Sequence, residues 1–273
     1  MRRLLNVRPQ GGARLLLGGL PLLVAVIFYL MASTARHAEN PNDKILPTAS
    51  AMASAIDTMA FKADPRTGEI PMVADTSASL RRLLIAIALA TVTTLVLGLA
   101  LGLVPVIRAG FGPLVAAIAV IPPIAVLPIL FIVFGLGETA KIALIFVGVT
   151  PLMVRDLAGH VGALPEEQLV KAQTLGASTW LIALRVALPQ ALPRLIESLR
   201  LNLCPAWVYL ISAEAIASDV GLGYRIFLVR RYLAMDIILP YVAWISLLAV
   251  AMDVGLSFLS RRAFPWAHPA HTR

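Results

Sequence analysis

The sequence predicts an all-α integral membrane protein with about six transmembrane helices, one long cytoplasmic loop and an amphipathic segment on the periplasmic side. Three observations carry this. Of 273 residues, 59% are apolar and only 14% charged, against about 45–50% and about 25% in soluble domains. The apolar residues come in continuous runs, not in alternation, which selects helices over a closed barrel in a solvent that forces every backbone group to be satisfied internally. One polar, helix-forming stretch, residues 163–193, interrupts the apolar runs.

The net charge of +8 reads as the basic flanks of membrane spans, since cytoplasmic loops collect Lys and Arg. No solvated domain carries a basic patch of the kind nucleic acid needs. The single cysteine, Cys204, lies in an apolar segment and excludes both a disulfide framework and a cysteine metal cluster.

Three runs, residues 15–35, 83–107 and 109–137, are free of charge over the roughly 20 residues a crossing requires. The third contains Pro122, Pro123 and Pro128, which predict a kink or break. Runs 142–154, 201–213 and 237–252 are shorter and bounded by Lys141 and Arg155, Arg200 and Glu214, and Asp236 and Asp253. They complete a crossing if those charges snorkel or face the protein interior.

Orientation follows from the basic residues. Arg2, Arg3, Arg8 and Arg14 precede the first span, and Arg261, Arg262 and Arg273 follow the last, so both termini are expected in the cytoplasm and the number of spans is even. Arg225, Arg230 and Arg231 break the rule, because they fall in an outer loop. The chain then divides into an N-terminal tail and first span (1–35), a periplasmic segment (36–79), a core (80–260) containing the cytoplasmic loop (160–193), and a cytoplasmic tail (261–273). A cleaved signal peptide ending at Ser33-Thr34-Ala35 is the rival reading of the N-terminus, although the apolar run is long for a signal core.

In the segment 36–79, Pro47-Thr48 starts a helix over residues 48–61 with Met52, Ile56 and Met59 on one face. Asp64-Pro65-Arg66-Thr67-Gly68 forms a turn. An amphipathic helix lying on the outer surface is the expected result.

In the cytoplasmic loop, Pro165 suits a first helical turn, and Glu166 and Glu167 favour its positive end. That helix runs to Leu175, and Gly176 closes it in the left-handed conformation. Ser178 caps a second short helix, 179–188, which Pro189 ends. Leu169, Ala172 and Leu175 give the first helix a small apolar face able to seat in a groove of another protein.

Gly176, the nine residues after it, and Val186-x-Leu188-Pro189 resemble the EAA loop of permease subunits in bacterial ABC importers. The Glu-Ala-Ala slot differs, holding Val170, Lys171 and Ala172, with Glu166 or Glu167 as substitutes for the acidic contact. The resemblance spans about residues 79–265. Ser79-Leu80-Arg81-Arg82, Pro122-Pro123, Gly176-Ala177-Ser178-x-Trp180, Ser212-Ala213-Glu214 and Gly221-Leu222-Gly223-Tyr224 look like nitrate/sulfonate/taurine-type permeases. Residues 40–44 and 225–241 look like the subgroup associated with urea carboxylase-type enzymes, which points to guanidine or a urea-like compound.

The resemblance implies a bacterial inner-membrane permease that forms a pathway for a small polar solute. It implies as partners two ABC ATPase subunits, a second copy of the permease and a periplasmic solute-binding protein. It also implies that Glu166, Glu167, Leu169, Lys171, Ala172, Gly176, Ala177, Ser178, Leu188 and Pro189 form the surface that couples to the ATPase.

Nothing in the chain is expected to bind ATP. Its four lysines, Lys44, Lys62, Lys141 and Lys171, never follow a glycine, so there is no phosphate-binding loop. ATP and Mg are expected on the partner, and no cofactor or metal on this chain. His268 and His271 lack Cys or acidic companions at ligand spacing. No catalytic residue is expected either, because no nucleophile–base pair or metal set falls within the spans.

Glu214 is open between contact with a cationic solute along a pathway and a structural role, either marking the outer end of a span or pairing with Arg225. Asp253 is a pathway residue, an interior hydrogen-bond partner or a helix-end partner. Glu197 is expected to pair with Arg194 or Arg200 on its own helix. Pro122 and Pro123 are candidates for a broken, pathway-lining helix. Trp180 and Trp207 read as packing or interface anchors. The competing function is a secondary transporter, which would favour an inverted repeat and mid-membrane charges; the sequence shows no repeat.

Overall fold

Every regular element of the computed structural model, which describes residues 11–41, 43–65 and 67–268, is a helix. The arginines Arg2, Arg3, Arg8 and Arg273, together with Asn42, Arg66 and His271, lie outside the described residues.

The first apolar run forms α1 (Gly11–Glu39), and none of its most apolar window is buried among the described residues. Its far end is tied down. Tyr29 donates to the Pro47 carbonyl at 2.8 Å, Ser33 to that of Leu46 at 3.0 Å, and Arg36 pairs with Asp43 at 2.6 Å. Helix α2 (Ala49–Phe61) follows the predicted helix closely: Thr48 caps it by accepting from the Ala51 amide. It packs on α3 and α12. The turn 64–68 closes as expected, with the Gly68 amide on the Asp64 carbonyl at 2.8 Å.

Helix α3 (Pro71–Leu103) starts well before the expected boundary at residue 83. It carries Arg82 inside because that side chain meets the buried Glu214 and, on its other edge, Glu138. It ends earlier than residue 107, since Pro105 disfavours helix at the residue before it. The expected span 109–137 is two helices, α4 (Pro105–Ile118) and α5 (Pro123–Phe134), meeting at 95°. Pro122 and Pro123 supply the break, Pro123 being the first residue of α5.

Helix α6 (Glu138–Gly162) runs through the charges expected to bound it, Lys141 and Arg155. The loop gives α7 (Glu166–Thr174) and α8 (Thr179–Ile182). Pro189 does not end the second helix. A π-helical turn, Ala183–Ala187, leads directly into α9 (Leu188–Leu201). The wider π turn accommodates the missing proline amide and the ring's clash with the preceding turn. Asn202 separates α9 from α10 (Leu203–Ile216), and α11 (Leu222–Arg230) and α12 (Met235–Ala263) complete the chain.

Among the described residues four helices, α1, α3, α6 and α12, are long and apolar enough to cross a bilayer, and there are five if the bent α4–α5 pair is one broken span rather than a re-entrant loop. The expected span 201–213 falls on α10, apolar but only 14 residues long, and α9 precedes it across the single residue Asn202.

The core is built on α3 against α6. Small residues at a spacing of four, Ala86, Ala90, Thr94, Gly98 and Gly102, give α3 a flat face that lets the two backbones approach. A Cβ at Gly98 would lie 2.8 Å from the Leu157 side chain, and one at Gly102 2.5 Å from Val161. Leu195, Leu199, Trp207 and Leu210 close this core from α9 and α10.

Candidate coupling surface and buried charge network

Two sites stand at opposite ends of α6, which spans 25 residues, about 37 Å at about 1.5 Å per residue. One end leads into the loop 160–193. There Glu166 and Glu167 occupy the first turn of α7, where the helix dipole favours acids. The Ala177 amide bonds the Ala172 carbonyl at 3.0 Å, and Gly176 holds φ +82°, a conformation glycine takes without strain. Ser178 caps α8 by accepting from the Leu181 amide.

No residue of α7 is buried. Lys171, Gly176 and Ser178 are exposed, and Leu169, Ala172, Ala177, Leu188 and Pro189 half-buried. Leu175 is 87% exposed and Trp180 71%, so the knob presents apolar groups outward. One side-chain bond, Gln190 to Gln168 at 3.1 Å, ties it to α9. Arg108, at the start of α4, braces the same end by donating to the Leu101 and Gly102 carbonyls at 2.9 Å.

At the other end of α6 lies a charge network that sequence reasoning largely missed. Glu214 is 0% exposed. Its carboxylate accepts from Ser79 at 2.7 Å, Arg82 at 2.6 Å and the Gly223 amide at 2.8 Å. Arg82 turns its other edge to Glu138, at 2.5 and 2.8 Å, and also donates to the Val220 carbonyl at 2.8 Å. Lys141 pairs with Glu138 at 2.9 Å.

One turn away, buried Asp75 accepts from Arg225 at 2.8 Å, Tyr241 at 3.0 Å and the Gly221 amide at 3.0 Å. Gly221 holds φ +140°, and a Cβ there would fall 2.6 Å from the Glu214 carboxylate; only glycine lets this loop fold over the acid. Asp75, Ser79 and Arg82 share one face of α3, at positions i, i+4 and i+7.

These contacts correct the expected partner of Glu214: it pairs with Arg82, while Arg225 belongs to Asp75. That second pair also neutralises one of the three arginines that broke the orientation rule. Every oxygen of Glu214 is engaged, and the side chain is sealed from the surroundings. Asp253 forms a two-pronged pair with Arg200 at 2.8 and 2.9 Å, partly exposed rather than interior. Glu197 pairs with Arg194 at 3.0 Å, and Arg194 also holds Asp156. Pro122 is exposed and Pro123 half-buried at the break. Trp207 is buried in the core and Trp180 is not. Among the described residues there is no group of three or more potential metal ligands.

A family model described as binding-protein-dependent transport system inner membrane component matches residues 83–265, taking in both sites except Asp75, Ser79 and Arg82. The taurine transport system permease protein TauC of Escherichia coli (strain K12) is 37% identical over 191 residues, 70% of this chain and 69% of TauC. The nitrate import permease protein NrtB of Synechococcus elongatus is 29% identical over 149 residues, 54% of this chain and 53% of NrtB. An inward-facing structure of the MetNI methionine ABC transporter superposes with a TM-score of 0.63 at 20% identity, covering 74% of this chain and 99% of that one. At that identity the likeness is one of fold.

Proposed function

The chain belongs to the family of inner-membrane components of binding-protein-dependent transport systems, and from that membership we propose how it is driven and what it carries. It is the membrane permease of an ABC importer, not an enzyme; hydrolysis and solute capture fall to an ATPase and a solute-binding protein. Two copies of this chain line the pathway, and two ATPase subunits carry ATP and Mg. Both termini and the loop 160–193 face the cytoplasm, and the segment 36–79 faces the periplasm with the binding protein.

The observation that carries this reading is the exposed knob α7–Gly176–α8. Glu166, Glu167, Leu169, Lys171, Ala172 and Leu175 present a mixed charged and apolar surface, acidic at the start of α7 and basic towards its end, and the glycine turn and Gln190 hold its angle. Seated in the ATPase, the knob converts closure of two ATPase subunits into rigid-body movement of the spans. The solute is a small polar compound: a sulfonate such as taurine, or nitrate, as the relatives' names suggest, or a guanidine- or urea-like nitrogen compound.

Cross-linking tests the coupling surface. With Cys204→Ser as background, Leu175→Cys is expected to cross-link to the ATPase in membranes, and Leu136→Cys, at the opposite end of α6, is not. Adducts from Leu136 alone would reverse the assignment.

A further inference from the structure

The charge network is divisible in a way that bears on movement. Its members are two acids and two bases: Glu214 and Arg82 on α10 and α3, Glu138 and Lys141 both on α6. Arg82 and Lys141 are 3% and 4% exposed, Glu214 is sealed, and Glu138 alone is accessible, at 58%. Only the two bonds from Arg82 to Glu138 cross from α3 to α6. Cutting them leaves two neutral halves. Arg82 keeps Glu214, with Ser79 and the loop amides around it, and Glu138 keeps Lys141 three residues along its own helix. An uncompensated buried charge, the usual obstacle to opening a charged interface, never arises.

We infer that the Arg82–Glu138 contact is a severable latch between the start of α6 and the unit formed by α3, the end of α10 and the loop 220–223, and that Glu138 is a positioning residue for the conformational step of transport. This rests on the importer reading. Lys141 is the spare partner that lets the latch open, and the sealed Glu214 anchor keeps the other half intact when it does. The seam lies at the end of α6 remote from the knob and reports there what the knob receives. The tight Gly98–Leu157 and Gly102–Val161 contacts hold the knob end of the same helix pair together.

The test uses the assembled permease, ATPase and binding protein in lipid. Replacing the α6 pair as a neutral unit, Glu138→Gln with Lys141→Met, removes the latch and strands no charge. The expected result is normal assembly with a several-fold rise in ATPase activity in the absence of binding protein. Wild-type basal activity, or failure of the double variant to assemble, overturns the inference.

Spin labels at Leu136→Cys and Asp219→Cys, both exposed residues, on the Cys204→Ser background read the seam directly. A second, longer distance on trapping with ATP is expected, and one unchanged distance contradicts it. If the wild-type assembly shows no ATPase stimulation by its binding protein, the importer reading fails and the latch with it; a stimulated wild type with an inert double variant sinks the latch alone.

Discussion

Glu214 is the fully buried acid of the charge network, and its removal is correspondingly costly. Glu214→Gln leaves Arg82 with Glu138 alone, which Lys141 shares, so the loss approaches but stays below the cost of a fully stranded buried charge, about 3–5 kcal/mol. A clear drop in melting temperature and in inserted yield is expected; a variant that melts with the wild type contradicts the anchor role. The Arg200–Asp253 pair is 31% and 44% exposed, so Asp253→Asn should shift stability by no more than about 1 kcal/mol, and a large loss there would give Asp253 another role. Asp43 offers a pH readout. The Ile45 amide and then the Arg36 guanidinium hold its carboxyl below the usual 3.8. A depressed carboxylate stabilises above its unfolded value, and the contribution disappears as pH falls through the lower folded value. Protease protection of the segment 40–48 should therefore persist above 3.8 and decay below it; protection unchanged through acid would show that the pair does not order the segment. The sequence marks Glu214 as unusual because it is an acid ending an apolar run. It does not name Arg82, 132 positions away. Asp75, Ser79 and Arg82 do share a helical face, a pattern that becomes legible only once the helix is extended back to Pro71.

At the scale of elements, local chemistry was legible and long-range compensation was not. Thr48, the Asp64–Gly68 turn, Gly176 and Ser178 act within a few residues, and each does what its type dictates. Span limits drawn at charges erred where the charge was compensated: Arg82 by the distant Glu138 and Glu214, and Lys141 by Glu138 one turn earlier on its own helix. Pro189 misled for a related reason: a proline ends an α-helix unless the preceding turn widens, and the π turn over Ala183–Ala187 depends on tertiary fit. Gly176→Val places a β-branched residue at φ +82°, where it is strained. ATP hydrolysis is expected to continue while transport falls at least several-fold, with the protein still inserted; normal transport would discredit the turn as a coupling element. Gly102→Leu forces α3 from Val161 and should destabilise by about 1–3 kcal/mol or more, read as a lowered melting temperature; an unaffected melt would show that the close approach is dispensable.

For the whole molecule, composition alone settled the class, and the apolar runs located most of the helices. The right-angled break in α4–α5 and the shortness of α10 emerged only in three dimensions, because a hydropathy run does not register direction. The two sites then sit at the two ends of a single helix, α6, with the tight glycine contacts between them near the knob. Such a lever suits a subunit that receives energy at one face and a solute at the other. The central claim is that arrangement, and ATPase activity of this chain assembled in lipid with its ATPase and binding protein tests it most directly, with taurine, an alkyl sulfonate, nitrate, guanidine and urea added singly. The account predicts stimulation by one of these ligands, only when the binding protein is present. An assembly whose hydrolysis ignores both ligand and binding protein, or a chain that associates with no ATPase, would contradict it.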